Sequence, residues 1–343
     1  MMDNSTGPDN STCLVNLLQW YYLPVMYSLE FCLGVPGNLL VILGYVFCLK
    51  EWKSSNVYLF NLAVSDLIFL FTLPRLAFTY ARGQPETRPT LCILNRYILH
   101  VNLYSSILFM VWVSVDRYLL VRHPYRQHPL QKPRVAKAIV ALTWVVVNAQ
   151  VAPLIYFVVK DMDRGNWSRC SDFGNVAVLG CKDLLSYSLV LTATGYVLPL
   201  LALCAFSARI AGVLRAQAEV FQNRADPSPF RRPQRAVLAT AAMFLVLYTP
   251  YHVMRNVYIA RRVGPALPGA SPATFTHDPY SASAYVISRP IAFAHSVVNP
   301  VFYFFMGDRF RELLMDKARS LFRRAVPQRS QSQGGECRTE EVH

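Results

Sequence analysis

The chain has 343 residues, of which 53% are hydrophobic and 16% charged, with a formal net charge of +14. That is too apolar and too sparsely charged for an ordinary soluble domain. The basic excess flanks apolar runs on one side, which makes it a topology signal and argues against a nucleic-acid partner.

Residues 1–21 are polar and lack the basic and apolar regions of a cleavable signal peptide, so they read as an extracellular N-terminal segment. The first membrane helix would then serve as the targeting signal. Seven apolar runs follow, at about 22–48, 56–81, 93–121, 135–159, 184–212, 236–260 and 283–306. Each can cross a bilayer, which takes roughly 20 apolar residues. Backbone inside lipid must satisfy its own hydrogen bonds, so the runs are helices. The expected fold is an all-α membrane protein, a seven-transmembrane helix bundle over 22–306. After it, Phe310, Leu313, Leu314, Ala318 and Leu321 recur at helical spacing among Arg and Lys. This predicts a short amphipathic cytoplasmic helix over 308–324, lying on membrane lipids. Residues 325–343, with Ser330 and Ser332, read as a disordered cytoplasmic tail.

Lys50, Lys53, Arg122, Arg126, Lys132, Arg134, Lys137, Arg209, Arg215, Arg224, Arg231, Arg232 and Arg235 flank one set of helix ends. The positive-inside rule makes that side cytoplasmic. Seven crossings place the N-terminus outside and the C-terminus inside a multi-pass plasma-membrane protein. The sequons at Asn4, Asn10 and Asn166 then all fall outside, as glycosylation requires. Cys13, Cys92, Cys170 and Cys181 share the oxidising side, where four cysteines allow three pairings that spacing alone does not resolve.

Arg96, His100, Arg255 and Arg289 lie inside apolar runs. A charge at membrane depth costs about 2.5–3.5 kcal/mol even on lenient insertion scales, so such residues face a cavity or a partner. Arg96 lies 21 residues before Arg117, roughly 30 Å toward the outside at a helical rise of about 1.5 Å. His100 is one turn below Arg96, and Arg289 is ten residues, about 15 Å, above Asn299. Arg255 follows Pro250 on the outward end of its helix. All four fall in the outer half, near Tyr27 and Tyr80. Guanidinium forks match carboxylates and phosphates, so the set predicts a pocket for a small anion. The alternative is internal neutralisation by Glu30, Asp172 or Asp183. Arg75, beside Pro74, either joins the pocket or snorkels. No metal-ligand or nucleophile constellation stands out, so an enzyme is not expected. An organic-anion transporter would show paired repeats with interrupted helices, and none is found.

Asp66 is a carboxylate near mid-membrane and needs polar partners or an ion; Asn38, Asn102, Ser106 and Asn299 are candidates. Asp116-Arg117-Tyr118 ends the third run and Asn299-Pro300-Val301-Phe302-Tyr303 ends the seventh. With Asn38, Asn61 through Asp66, Trp144, Pro199 and Pro250, these motifs fall one per helix and in order. Together they resemble the rhodopsin-like class of G-protein-coupled receptors over roughly 20–320. The stretches Asn95-Arg96-Tyr97-Ile98-Leu99-His100, Thr249 through Val257 and Ser288-Arg289-Pro290 resemble those members that sense small dicarboxylates, succinate ahead of 2-oxoglutarate.

The resemblance implies a dicarboxylate held by Arg96, His100, Arg255 and Arg289 with Tyr27 and Tyr80, with nucleotides and acidic lipids as alternative ligands. It implies a heterotrimeric G protein of the inhibitory or phospholipase-linked kind, with receptor kinases and arrestin as further partners. It implies that Asp116 holds Arg117 at rest. It assigns Ile107, Pro199, Phe244 and Tyr248 to coupling the pocket to the inner face. It implies a Cys92–Cys170 disulfide, and Cys13 with Cys181 is the remaining pairing. It also implies a sodium site at Asp66 with Ser106 and Asn102. His295, however, stands where the family carries an asparagine. Tyr248 replaces a common tryptophan, and Ser207 replaces a tyrosine that stabilises the active state.

Overall fold

The computed structural model describes residues 10–49, 51–83, 88–123, 128–164, 181–220, 228–263 and 279–306, with side chains at 13–49, 51–83, 88–123, 128–160, 182–216, 238–262 and 279–301. Among these, all regular structure is helical. In chain order the helices are α1 (Asn10–Leu17), α2 (Leu23–Cys48), α3 (Ser54–Leu70), α4 (Leu73–Ala81), α5 (Pro89–Arg122), α6 (Pro133–Arg164), α7 (Cys181–Thr192), α8 (Leu198–Val220), α9 (Ser228–Val263), α10 (Pro279–Phe293) and α11 (His295–Met306). Among the described residues five spans are long and apolar enough to cross a membrane: Cys13–Cys48, Ser54–Ala81, Pro89–Arg122, Pro133–Lys160 and Lys182–Ala216. α10 and α11, of 15 and 12 residues, are two halves of the seventh expected run.

Three departures from seven plain helices, in the first, second and fifth spans, share a cause in proline. A proline has no N–H, and its ring clashes with the carbonyl four residues back. Two π-helical turns, Leu18–Tyr22 and Val197 with the four residues before it, each end two residues before a proline, Pro24 and Pro199. The wider turn accommodates the ring without ending the helix. α1 therefore continues into α2, and the first helix begins at Asn10 rather than near residue 22. Pro74 breaks the second run between α3 and α4. There Thr72 turns back, its N–H and its hydroxyl both donating to the Phe69 carbonyl at 2.8 and 2.7 Å.

The seventh run breaks at Ala294. His295 Nδ1 donates to the Ala292 carbonyl at 2.6 Å, so a side chain serves an acceptor at the break.

α5 packs against α3, α6, α8 and α9 and forms the centre of the bundle. One apolar cluster, including Leu103, Ile107, Phe244 and Phe293, fills the Arg96 half; a second, including Tyr58, Met110 and Val113, fills the Asp116 half. Leu33, Leu142, Val145, Leu201 and Val246 are exposed on the outer faces of the helices, where lipid would cover them.

A cationic pocket and a buried carboxylate

Arg255 on α9 is completely buried. Its Nη1 donates to Tyr104 Oη at 2.9 Å, and its Nη2 to Thr192 Oγ1 at 2.8 Å and the Ser188 carbonyl at 3.5 Å. The Thr192 hydroxyl also accepts from Asn256 Nδ2 at 2.8 Å and donates to the Ser188 carbonyl at 2.8 Å. α7 thus fixes one side of the guanidinium and α5 the other. The Tyr104 ring needs room to do this. A Cβ on Gly195 would stand 2.5 Å from the ring, so only glycine lets α5 bring Tyr104 to Arg255.

From Arg255 the contacts run through tyrosines. Its guanidinium lies over the Tyr251 ring, 5.3 Å from the centroid, in cation–π geometry. Tyr251 Oη is 3.4 Å from His100 Nε2, and His100 Nδ1 donates to the Arg96 carbonyl at 2.7 Å. The buried Arg96 is one turn away on the same helix. In the other direction Tyr251 stacks on Tyr285 at 6.1 Å. Arg289 lies over the Tyr285 and Tyr80 rings at 5.5 and 5.6 Å, and its Nη1 donates to Tyr80 Oη at 3.0 Å. Tyr27 is 6.2 Å from Tyr80, ring to ring. The structure thus links the side chains of His100, Arg255, Arg289, Tyr80 and Tyr27 through phenols, with Arg96 joined through its carbonyl.

The links between them, Tyr104, Tyr251, Tyr285 and Thr192, were not singled out by the sequence. Tyrosines and threonines are common in apolar runs, and these acquire meaning only through cross-helix pairing. His252 was also missed. It is buried against Tyr196, 4.4 Å ring to ring and nearly parallel, with neither ring nitrogen hydrogen-bonded. Glu30 is buried with neither carboxylate oxygen hydrogen-bonded, so it neutralises none of the four cations. Asp183 is exposed in the first turn of α7, and Asp172 lies outside the described residues. Arg75 is exposed, which removes it from the pocket interior.

At mid-bundle Asp66 is completely buried. Its Oδ1 accepts from Asn102 Nδ2 at 2.9 Å, Ser106 Oγ at 3.2 Å and Ser296 Oγ at 3.2 Å; its Oδ2 accepts from Asn299 Nδ2 at 2.8 Å. His295 Nε2 is 3.6 Å from the same Oδ1. Asn38 does not reach the carboxylate as expected. Its Nδ2 donates instead to the Ser296 and Gly34 carbonyls at 2.8 and 3.0 Å, tying α2 to α11.

Comparison with known proteins gives the class. Residues 37–303 match the model of the 7 transmembrane receptor (rhodopsin family). The chain belongs to that family. It is 42% identical to Succinate receptor 1 of Rattus norvegicus, over 94% of this chain and 98% of that one. It is 41% identical to Succinate receptor 1 of Mus musculus, over 90% and 93%. A purinoceptor of Gallus gallus is 32% identical over 90% and 83%. The protein is a membrane-spanning G-protein-coupled receptor of the rhodopsin family, and so a receptor rather than an enzyme.

The residues expected to couple the pocket to the inner face lie on α5, α8, α9 and α11. Ile107 and Phe244 are fully buried in the cluster of the Arg96 half. Pro199 is buried just after the π turn of the fifth span. Phe244 stacks on Tyr196 at 5.7 Å and meets Tyr248 at 5.0 Å, and Tyr248 reaches the His295 ring at 5.2 Å. Pro300 packs against Gly37, where a Cβ would come within 3.1 Å.

At the far end Asp116, expected to hold its neighbour Arg117, is also held from other elements. Its carboxylate accepts from Ser54 Oγ, and its carbonyl from Gln131 Nε2 at 3.4 Å. α3 and the turn before α6 supply these donors because they pack directly against that end of α5. Tyr118 meets Phe206 at 5.6 Å and packs on Ile210 and Leu214. Ser207 Oγ is buried without a hydrogen bond.

Cys92 is disulfide-bonded, and its partner lies outside the described residues, as Cys170 does. Cys13 carries a free, exposed thiol, which overturns its pairing with Cys181. Asn10 opens α1, while Asn4, Asn166, the 308–324 segment and the tail lie outside the described residues, as does the side chain of Tyr303.

Proposed function

We propose that this receptor senses an extracellular dicarboxylate, succinate before 2-oxoglutarate, in the pocket of Arg96, His100, Arg255 and Arg289. The lattice through Tyr251, Tyr285 and Tyr80 carries the reading. It gathers cationic side chains from three spans around phenol donors, which is the donor set a small anion with two charged ends requires. The name of its 42%-identical relative, Succinate receptor 1, supports the same ligand. In this reading the Arg96 half faces outward, with the N-terminus outside and glycans on Asn4, Asn10 and Asn166. The Asp116 half meets an inhibitory or phospholipase-linked G protein, and then receptor kinases and arrestin.

Binding would work by differential contact. A dicarboxylate bridging Arg255 on α9 and Arg289 on α10 draws those helices together. Arg255 lies one face away from the aromatic column Tyr251, Tyr248 and Phe244. A shift of α9 therefore moves Phe244 against Ile107 and Pro199. A ligand can bias the equilibrium only by such a difference in contact between the two states.

The test is G-protein nucleotide exchange driven by succinate, 2-oxoglutarate and ADP, on the wild type and on Arg255→Ala and Arg289→Ala. Removing a buried charge-assisted hydrogen bond costs about 1.5–3 kcal/mol, so succinate potency should fall at least about tenfold in each variant. Equal potency in both variants removes the pocket; response to ADP alone transfers it to a nucleotide.

A further inference from the structure

We propose that Asn256 is a positioning residue for Arg255, and that through it the receptor sets the length of dianion its pocket accepts. The inference rests on the dicarboxylate reading and names what makes that pocket selective. An arginine side chain is long and rich in rotamers, so its head is placed only where neighbours hold it. An anion gripped at both ends reads the distance between its two holders, and that distance is defined only if both are fixed beforehand.

The hydrogens of the network around Arg255 can be placed one by one, because a carbonyl only accepts. Thr192 Oγ1 gives its single hydrogen to the Ser188 carbonyl at 2.8 Å. Its two lone pairs then accept from Arg255 Nη2 and from Asn256 Nδ2, each at 2.8 Å. The second hydrogen of Asn256 Nδ2 goes to the His252 carbonyl at 2.9 Å. Asn256 Oδ1 accepts from Ser188 Oγ at 2.7 Å. Both amide hydrogens of Asn256 and the whole capacity of the Thr192 hydroxyl are used, so one orientation of each serves every partner. Asn256 thereby fixes the hydroxyl that fixes Nη2.

Local structure brings these groups together. Ser188 and Thr192 are one turn apart on α7, as His252 and Asn256 are on α9, and the two helices pack on each other. Thr192 is the last residue of α7 before the π turn. That turn holds Gly195, which admits the Tyr104 ring to Nη1. Both ends of the guanidinium are thus set from one short stretch of the fifth span. Arg289 is fixed in a parallel way, on Tyr80 Oη at 3.0 Å and over two tyrosine rings. Tyr80 touches its arginine directly, whereas Asn256 acts on Arg255 through Thr192.

The experiment measures nucleotide exchange driven by malonate, succinate, glutarate and adipate, on the full-length wild type and on Asn256→Leu, which keeps the size and loses every hydrogen bond. The wild type should prefer one length. The variant should lose at least about fivefold in potency for that diacid, and its advantage over the next-best diacid should narrow at least about threefold. Thr192→Val should behave alike, and Thr192→Ser, which keeps the hydroxyl, should stay within about twofold of the wild type. A wild type that answers all lengths equally overturns the proposal. So does an Asn256→Leu that keeps its potencies or loses them equally for all four, since a merely structural role has no reason to favour a length. A second measurement needs no ligand. The separate Tm losses of Asn256→Leu and Arg255→Met should together exceed the loss of the double variant by at least about 2 °C. Strictly additive losses overturn the positioning. A wild type silent to every diacid sinks the dicarboxylate reading instead, and the Tm comparison then decides the positioning by itself.

Discussion

Arg255 and Asp66 are both completely buried, yet their surroundings solve the cost of a charge differently. Asp66 gathers four hydrogen-bond donors and His295 on its two oxygens. Its demand is met from within, by side chains of α5 and α11. Arg255 is held by two hydroxyls, one carbonyl and one aromatic face, groups that orient a guanidinium without cancelling its charge. In the proposed reading an anion completes the pocket half, while the Asp66 oxygens are served by side chains of the bundle. In that reading the first centre recognises the ligand, and the second ties together α3, α5 and α11.

Substitutions break this contrast in graded ways. Asp66→Ala removes the acceptor at the closed centre and strands His295 and four donors. Each buried donor left unsatisfied costs about 1–3 kcal/mol, read as lower thermal stability of the purified receptor in the absence of ligand. Tyr104→Phe takes one acceptor from Arg255 at the open centre. Stability should change less there, and succinate potency should fall roughly 10- to 150-fold, for about 1.5–3 kcal/mol.

Gly195→Ala sharpens the comparison without touching any charge. Its Cβ would press on the Tyr104 ring, and overpacking of this kind costs about 1–3 kcal/mol. Gly212→Ala is the control, since nothing lies within 4 Å of its Cβ. Potency should drop in the first variant and hold in the second, measured side by side in the nucleotide-exchange assay. The smallest effect is at Arg75. An exposed arginine outside the pocket contributes within about 0.5 kcal/mol, so Arg75→Ala should shift potency no more than about twofold.

The cations were legible because an arginine in an apolar run is costly wherever the chain goes, and cost is a local property. His295 was legible as a departure from the family pattern, though its pairing with Asp66 was not. The bridging tyrosines were not legible. Tyr251 and Tyr285 join Arg255 to Arg289 only because α9 and α10 lie side by side, and that is a property of packing. Arg75 shows the same limit from the other side. The sequence left it either in the pocket or snorkelling, and the structure exposes it. The hold of Ser54 on Asp116 was hidden for a related reason. Sequence displays the adjacent Arg117, whereas Ser54 arrives on another helix.

A dicarboxylate pocket of this kind would recognise charge at both ends of its ligand. Calorimetric binding of succinate and of its neutral diamide, succinamide, to the purified wild-type receptor tests it most directly. The diamide keeps the length and shape but offers no carboxylate to Arg255 or Arg289. Succinate should bind, and the diamide should bind at least about a hundredfold more weakly, roughly tenfold for each charge-assisted hydrogen bond it cannot make. Equal affinities would mean that the pocket does not read the carboxylates.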